Sequence, residues 1–168
     1  MACSVTLSNY SLGECFSSLG GIKAVWVANY VENAVSATTS GETISSFVSG
    51  ITWYKQELRK NTGSMTSTLN VSENANYVST EVVIEYTKMQ KESRIQMNAL
   101  SKGELMLVVL DRNGNYYFLG EEEAVTASAG DGQTGTNKDD KNAYSWTGKD
   151  ECSHYPRLLE DSAVAQLG

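Results

Sequence analysis

Proline and histidine are nearly missing from this chain, with one residue of each among 168. A single proline beside fourteen glycines excludes a collagen-like or proline-rich chain. The lone His154 has no candidate serine nucleophile or paired acid beside it, so the sequence offers no constellation for acid–base or nucleophilic catalysis. We expect no enzyme and no cofactor. Cysteine is scarce and odd in number: Cys3, Cys15 and Cys152. With His154 these would make a four-ligand zinc set, but no close cysteine pair is present to nucleate it, and free buried thiols without metal are the simpler expectation. No window reaches the roughly eighteen apolar residues of a membrane-spanning helix, and Met1 to Leu7 carry neither a basic segment nor an apolar run of signal length. The expectation is a protein made and kept in a cytosol, where the sequons at Asn9 and Asn70 carry no weight. Basic residues are also short: 13 Lys and Arg against 20 Asp and Glu give a net charge of −7 at pH 7. A surface of that sign repels phosphates and does not wrap nucleic acid.

What is present describes one β-rich domain over residues 1–168, long enough to bury roughly 70% of the surface of its unfolded chain. Its organising stretch runs from Tyr86 to Gly120. Tyr86, Met89, Met97 and Leu100 fall near one stripe of a helix predicted at about 87–101, and Gly103 follows where a left-handed cap would stop it. Leu105 to Leu110 is a short β-branched run, Asp111-Arg-Asn-Gly114 a tight turn, and Asn115 to Leu119 the returning strand. This central hairpin, about 104–120, is expected at the middle of a sheet with the helix laid on it. Ile22 to Tyr30 is apolar at even and odd positions alike, which predicts a strand buried on both sides. In Tyr77 to Glu85 the alternation buries Val78, Thr80, Val82 and Ile84.

The remaining segments are polar. Ile51 to Arg59 and Ser64 to Val71, joined by Asn61-Thr62-Gly63, read as an extended β-hairpin over about 52–71. A short strand is expected at 43–48, another at 143–147, and a helical tail at 157–166. Glu121 to Asn142 reads as a long acidic, glycine-rich loop, a length that in a compact domain signals function or disorder. Its Gly130-Asp-Gly-Gln-Thr-Gly135 lacks the Lys-Ser/Thr ending of a phosphate loop and opens no helix. Glu121, Glu122 and Glu123 with Asp131, Asp139 and Asp140 would offer calcium ligands, but their order is not that of an EF-hand, and acidic runs are usually solvated.

Several phrases of the chain carry a resemblance: Arg59-Lys-Asn-Thr-Gly-Ser-Met-Thr-Ser-Thr-Leu-Asn-Val71, Thr80-Glu-Val-Val-Ile-Glu-Tyr-Thr-Lys-Met89, Asn98-Ala-Leu-Ser-Lys-Gly-Glu-Leu105, Asn115-Tyr-Tyr-Phe-Leu-Gly120 and Ala124-Val-Thr-Ala-Ser-Ala-Gly130. Over about residues 20–146 the chain resembles tail tube or tail ring proteins of bacteriophages that infect gut Bacteroidales, the crAss-like phages among them. The resemblance implies a mainly β fold, a sandwich or rolled barrel with one flanking helix and an extended hairpin. It also implies a structural role in the virion tail: a homo-oligomeric ring of sixfold or twelvefold symmetry beside neighbouring tail or portal-side proteins, through which DNA passes. A virion decoration or fibre-attachment module is the alternative with the same composition.

A conduit for DNA requires an acidic or hydroxylic wall, since rows of lysine or arginine would hold phosphates in place. The residues expected to line it are Glu57, Ser64, Thr66, Ser67, Thr68, Glu81 and Glu85. Lys55, Arg59 and Lys60 are then expected at the ring interface, against Glu121, Glu122 and Glu123 or Asp139 and Asp140 of a neighbouring copy.

Overall fold

The structure, a computed structural model, describes residues 5–13 and 17–168. It is mainly β, with two sheets and one main helix. The larger sheet has seven strands. In spatial order these are β2 (Val35–Thr39), β3 (Thr43–Phe47), β11 (Arg157–Leu159), β8 (Tyr116–Leu119), β7 (Leu105–Asp111), β1 (Ile22–Asn29) and β4 (Tyr54–Glu57). The smaller has four: β5 (Ser64–Val71), β6 (Asn76–Tyr86), β10 (Ala143–Cys152) and β9 (Thr126–Gln133). Helix α1 spans Lys91–Lys102, and a short helix α2, Asp161–Val164, follows β11.

The apolar run of β1 explains its place. It pairs with β4 on one side and β7 on the other, and both of its faces are covered. Val25 and Val27 face the smaller sheet, packing with Val82, Ile84, Leu107, Val109 and Trp146. Ala24, Trp26 and Ala28 face the opposite way, toward Ile44, Phe47, Met106, Val108, Phe118 and the C-terminal Ala163 and Leu167. Ile22 breaks this parity by joining Val25 and Val27. The cause is a bulge at Lys23, since Ile22 opposes Asp111 and Ala24 opposes Leu110, two steps on β1 against one on β7. On the second face the larger sheet curls onto itself, and Phe47 meets Phe118 edge to face at 5.1 Å between ring centroids. At the β7–β8 turn, Asp111 Oδ1 accepts the backbone N–H groups of Asn113 (2.9 Å) and Asn115 (2.8 Å) while Gly114 adopts φ 89°.

Three expectations about the strands and their connections need correction. Thr52 to Val71 is not one hairpin: β4 pairs with β1, and β5 pairs with β6 in the other sheet. The turn at Asn61 (φ 64°) carries the chain across the sandwich, and Gly63 makes the passage possible, because a Cβ there would lie 2.6 Å from Ile22 Cγ1 and 2.7 Å from Leu58 Cδ1. The extended hairpin is β5–β6, turned at Ser72–Ala75, with Leu69, Val71 and Tyr77 exposed near its tip. Residues 121–142 are not one loop either, since β9 lies within them. Its small residues have no strand pattern of their own, and pairing with β10 imposes one. The tail likewise opens with strand β11, parallel to β3, before its helical turn.

Helix α1 starts later than predicted. Gln90 is its N-cap, with its backbone N–H donating to Ser93 Oγ at 2.9 Å, so Tyr86 belongs to β6 and Met89 to the connection. Leu100 is buried and Met97 half-buried against the sandwich core, where the helix lies nearest β9 and β10 of the smaller sheet. Gly103 ends the helix in an extended conformation, φ −84°, not a left-handed one. A Cβ at this position would be tightly placed, 3.0 Å from Leu105 Cδ2 and 3.2 Å from the Ala99 carbonyl oxygen.

Candidate functional site

The smaller sheet places its side chains on two faces by strand parity. Met65, Val78, Thr80, Val82, Ile84, Trp146, Gly148, Asp150 and Cys152 belong to the inner face. On β5, Ser64 opposes Val83, Thr66 opposes Glu81 and Thr68 opposes Ser79, so these belong to the outer face with Glu85. On β10, Ser145, Thr147, Lys149 and Glu151 share it. Among the described residues, no other element covers that face. It presents hydroxyls and carboxylates, and its lysines are occupied: Lys149 Nζ lies 2.8 Å from Glu151 Oε1, and Lys141 pairs with Glu85. Five of the residues expected to line a channel, Ser64, Thr66, Thr68, Glu81 and Glu85, therefore stand together. Two do not. Ser67 is on the inner face, its hydroxyl 2.9 Å from that of Thr80, and Glu57 is on β4 in the other sheet.

Among the described residues, nothing pairs with either edge of this sheet. β5 and β9 are each eight residues long, and every residue of β9 is exposed. Neither strand contains lysine, arginine or proline, and Asp131 is the one charge between them. The residues expected at an interface lie apart in the chain. Lys55 Nζ sits 5.7 Å over the Trp26 ring and 3.9 Å from Glu57 Oε1, while Arg59 and Lys60 are exposed in the turn before β5. Asp140 Oδ2 accepts the N–H groups of Thr136 (2.8 Å) and Asn137 (2.7 Å), which hold its carboxyl below the usual range. Asp139 and Glu123 are exposed. Glu121 and Glu122 are engaged within the chain, and the acidic residues weighed for calcium are not gathered into one group among the described residues.

Glu121 and Glu122 instead join a mixed cluster that sequence reading missed. Gly120, at φ 93°, turns the chain out of β8 so that the two glutamates reach the end of β10. There Glu122, Cys152 and His154 bring one donor atom each within 4.8 Å of one another. Cys152 Sγ lies 3.5 Å from His154 Nε2, which is also 3.5 Å from Glu121 Oε2. Arg157 Nη1 holds Glu121 Oε1 at 3.0 Å, and Ser153 donates its N–H to Glu122 Oε2 at 2.9 Å and its hydroxyl to Oε1. Those Ser153 hydrogen bonds lower the Glu122 pKa. Burial, reinforced by the neighbouring carboxylates, pushes the Cys152 thiol up to about 11 and the Asp150 carboxyl up to about 6. The zinc set weighed from sequence included Cys3 and Cys15, which lie outside the described residues. The signal available was the spacing Cys152-Ser-His154; the glutamates are some thirty positions away and arrive only through the fold.

Compared with protein-family models, curated proteins and solved structures, the chain matches none of them.

Proposed function

We propose that this chain is a structural protomer of a phage tail, of the tube or ring kind, joining copies of itself edge to edge around a channel that conducts DNA. One observation carries the reading: the two open edges of the smaller sheet fit each other. All pairings in the order β5-β6-β10-β9 are antiparallel, so β5 and β9 run in opposite directions. β9 of one copy laid against β5 of the next therefore continues the antiparallel alternation over equal lengths. Edge strands are normally blunted by lysine, proline or shortness. These two carry neither residue, and β9 is modified only by a bulge at Ser128. Such a contact is head to tail and generates a ring when its rotation closes.

Two further features support it. Propagating the sheet aligns the outer faces of all copies, and that face is hydroxylic and acidic, the surface past which a polyanion slides without being held. Apolar side chains also stand in solvent where a neighbour would cover them: Val5, Leu7, Tyr10 and Leu12 of the N-terminal segment, and Leu69 and Val71 near the β5–β6 tip.

Electron microscopy and sedimentation of the purified chain test the reading. Rings or stacked tubes are expected, and Thr66→Lys with Thr68→Lys, which places charge on the β5 edge, should leave folded monomers. Isolated globules from the unmodified protein at every concentration would overturn the proposal in favour of a decoration or fibre-attachment module.

A further inference from the structure

The cluster at the end of β10 has the geometry of a metal site and is independent of how copies assemble. His154 Nδ1 lies 2.8 Å from the Tyr155 carbonyl oxygen. A carbonyl can only accept, so Nδ1 carries the proton, and in the neutral ring Nε2 is left with its lone pair. This is how protein partners orient a metal-binding histidine. The lone pair faces Cys152 Sγ and Glu121 Oε2, each at 3.5 Å. Zn–S and Zn–N bonds of about 2.3 and 2.0 Å at a tetrahedral angle put sulfur and nitrogen roughly 3.5 Å apart. The sulfur and the imidazole nitrogen therefore already have the mutual spacing that a tetrahedral ion imposes, and Glu122 brings a third donor within 4.8 Å of both.

A second observation points to a cation at this place. Asp150 is on the same face of β10 as Cys152, two residues earlier, and is 4% exposed; its Oδ1 has no hydrogen-bond partner. Glu121 Oε2 is likewise buried without a hydrogen bond. Buried anionic oxygens are ordinarily paired or coordinate a metal. Among the described residues, Arg157 is the one permanent cation bonded to the group, against three carboxyl groups and a thiol. A cleft of ≈ 290 Å³ that opens to the surface and is lined by Tyr77, Glu122, Cys152 and Ser153 gives an ion access from outside.

We infer that Cys152 Sγ, His154 Nε2, Glu122 and Glu121 bind one zinc-class divalent cation. The sulfur and imidazole donors select zinc over calcium or magnesium, which prefer oxygen. Four protein ligands leave no open position, so the ion is structural. It ties the turn after β8 in the larger sheet to the end of β10 in the smaller one. Ser153 on Glu122 and Arg157 on Glu121 fix the carboxylates around it.

The test uses the full chain, stripped with chelator and titrated with zinc chloride, calcium chloride and cobalt chloride. Zinc should bind at one ion per chain and raise the unfolding midpoint, with chelator reversing the shift. Cobalt should give a thiolate charge-transfer band and tetrahedral visible absorption. Cys152→Ser, His154→Gln and Glu122→Gln should each weaken zinc binding about tenfold or more and alter the cobalt spectrum. Cys3→Ser with Cys15→Ser should change neither. Should a ligand variant fail to fold, the cobalt spectrum of the unmodified chain still decides. An absent thiolate band, an equal stabilisation by calcium, or a site abolished by Cys3→Ser with Cys15→Ser would overturn the inference.

Discussion

Gly148 lies against the indole of Trp146, two residues before it on the same face of β10, so closely that a methyl group at position 148 would overlap the ring at Cη2 and reach 2.7 Å from Cζ3. Trp146 is 1% exposed and surrounded by both sheets, so its ring cannot swing aside without repacking the core. Gly148→Ala should therefore destabilise the protein by about 1–3 kcal/mol in denaturant unfolding. Gly20→Ala is the control, because a Cβ there meets nothing within 4 Å. Equal midpoints for the two variants would show that Trp146 has room to move.

Leu100 is the buried apolar anchor of α1, 3% exposed among Leu105, Val125 and Trp146. Leu100→Ala should cost about 2–5 kcal/mol, the range for a large-to-small change in a core. Ile95, 50% exposed on the same helix, should tolerate alanine within about 0.5 kcal/mol. Urea unfolding of the two variants separates a helix docked on the core from one held only by its ends.

Much of the fold could be read from local pattern. β1 is apolar at every inner position, β7 and β8 flank Asp111-Arg-Asn-Gly114, and β6 alternates cleanly with Val78, Thr80, Val82 and Ile84 buried. Partner choice could not be read, because Asn61-Thr-Gly63 marks a change of direction equally well whether its arms pair with each other or with different sheets. β9 was hidden for a related reason: Thr126-Ala-Ser-Ala-Gly-Asp-Gly-Gln133 has no alternation, and β10 alone makes it a strand. The outer-face hydroxyls were visible as a run, except that Ser67 was assigned to the face it does not occupy. The Glu121–His154 cluster could not be seen, since segments about thirty residues apart meet only after the two sheets have stacked.

Glu160 secures the C-terminal strand to the β2–β3 hairpin. Its carboxylate accepts a hydrogen bond from Thr43 Oγ1 at 2.7 Å, and its pKa is lowered by hydrogen bonds from Thr39 and Thr43. A depressed folded-state pKa contributes stability above the unfolded value that is lost as pH falls through the folded one. Glu160→Gln should thus lower the melting temperature slightly at pH 7, with the gap to the parent closing as pH falls below the ordinary glutamate range. A gap that persists unchanged at pH 3 would mean that the charge is not what holds the strand.

The sign of the outer face gives the last expectation. Glu81 and Glu151 are exposed on that face, flanking Lys149 across β6 and β10, and replacing both with lysine converts an acidic patch into a basic one without touching the core. Unfolding of the Glu81→Lys/Glu151→Lys variant should stay within about 0.5 kcal/mol of the parent, since neither side chain is buried. Assembled rings of the parent should not retain duplex DNA at low salt. Rings of the variant should retain it, and release it as salt rises, with a slope of about 0.9 per phosphate neutralised. The comparison has to be made on rings, because repetition around the lumen is what turns two substitutions into a continuous binding surface. DNA held equally by parent and variant would place this face on the outside of the ring, leaving the edge-to-edge assembly to stand or fall by microscopy.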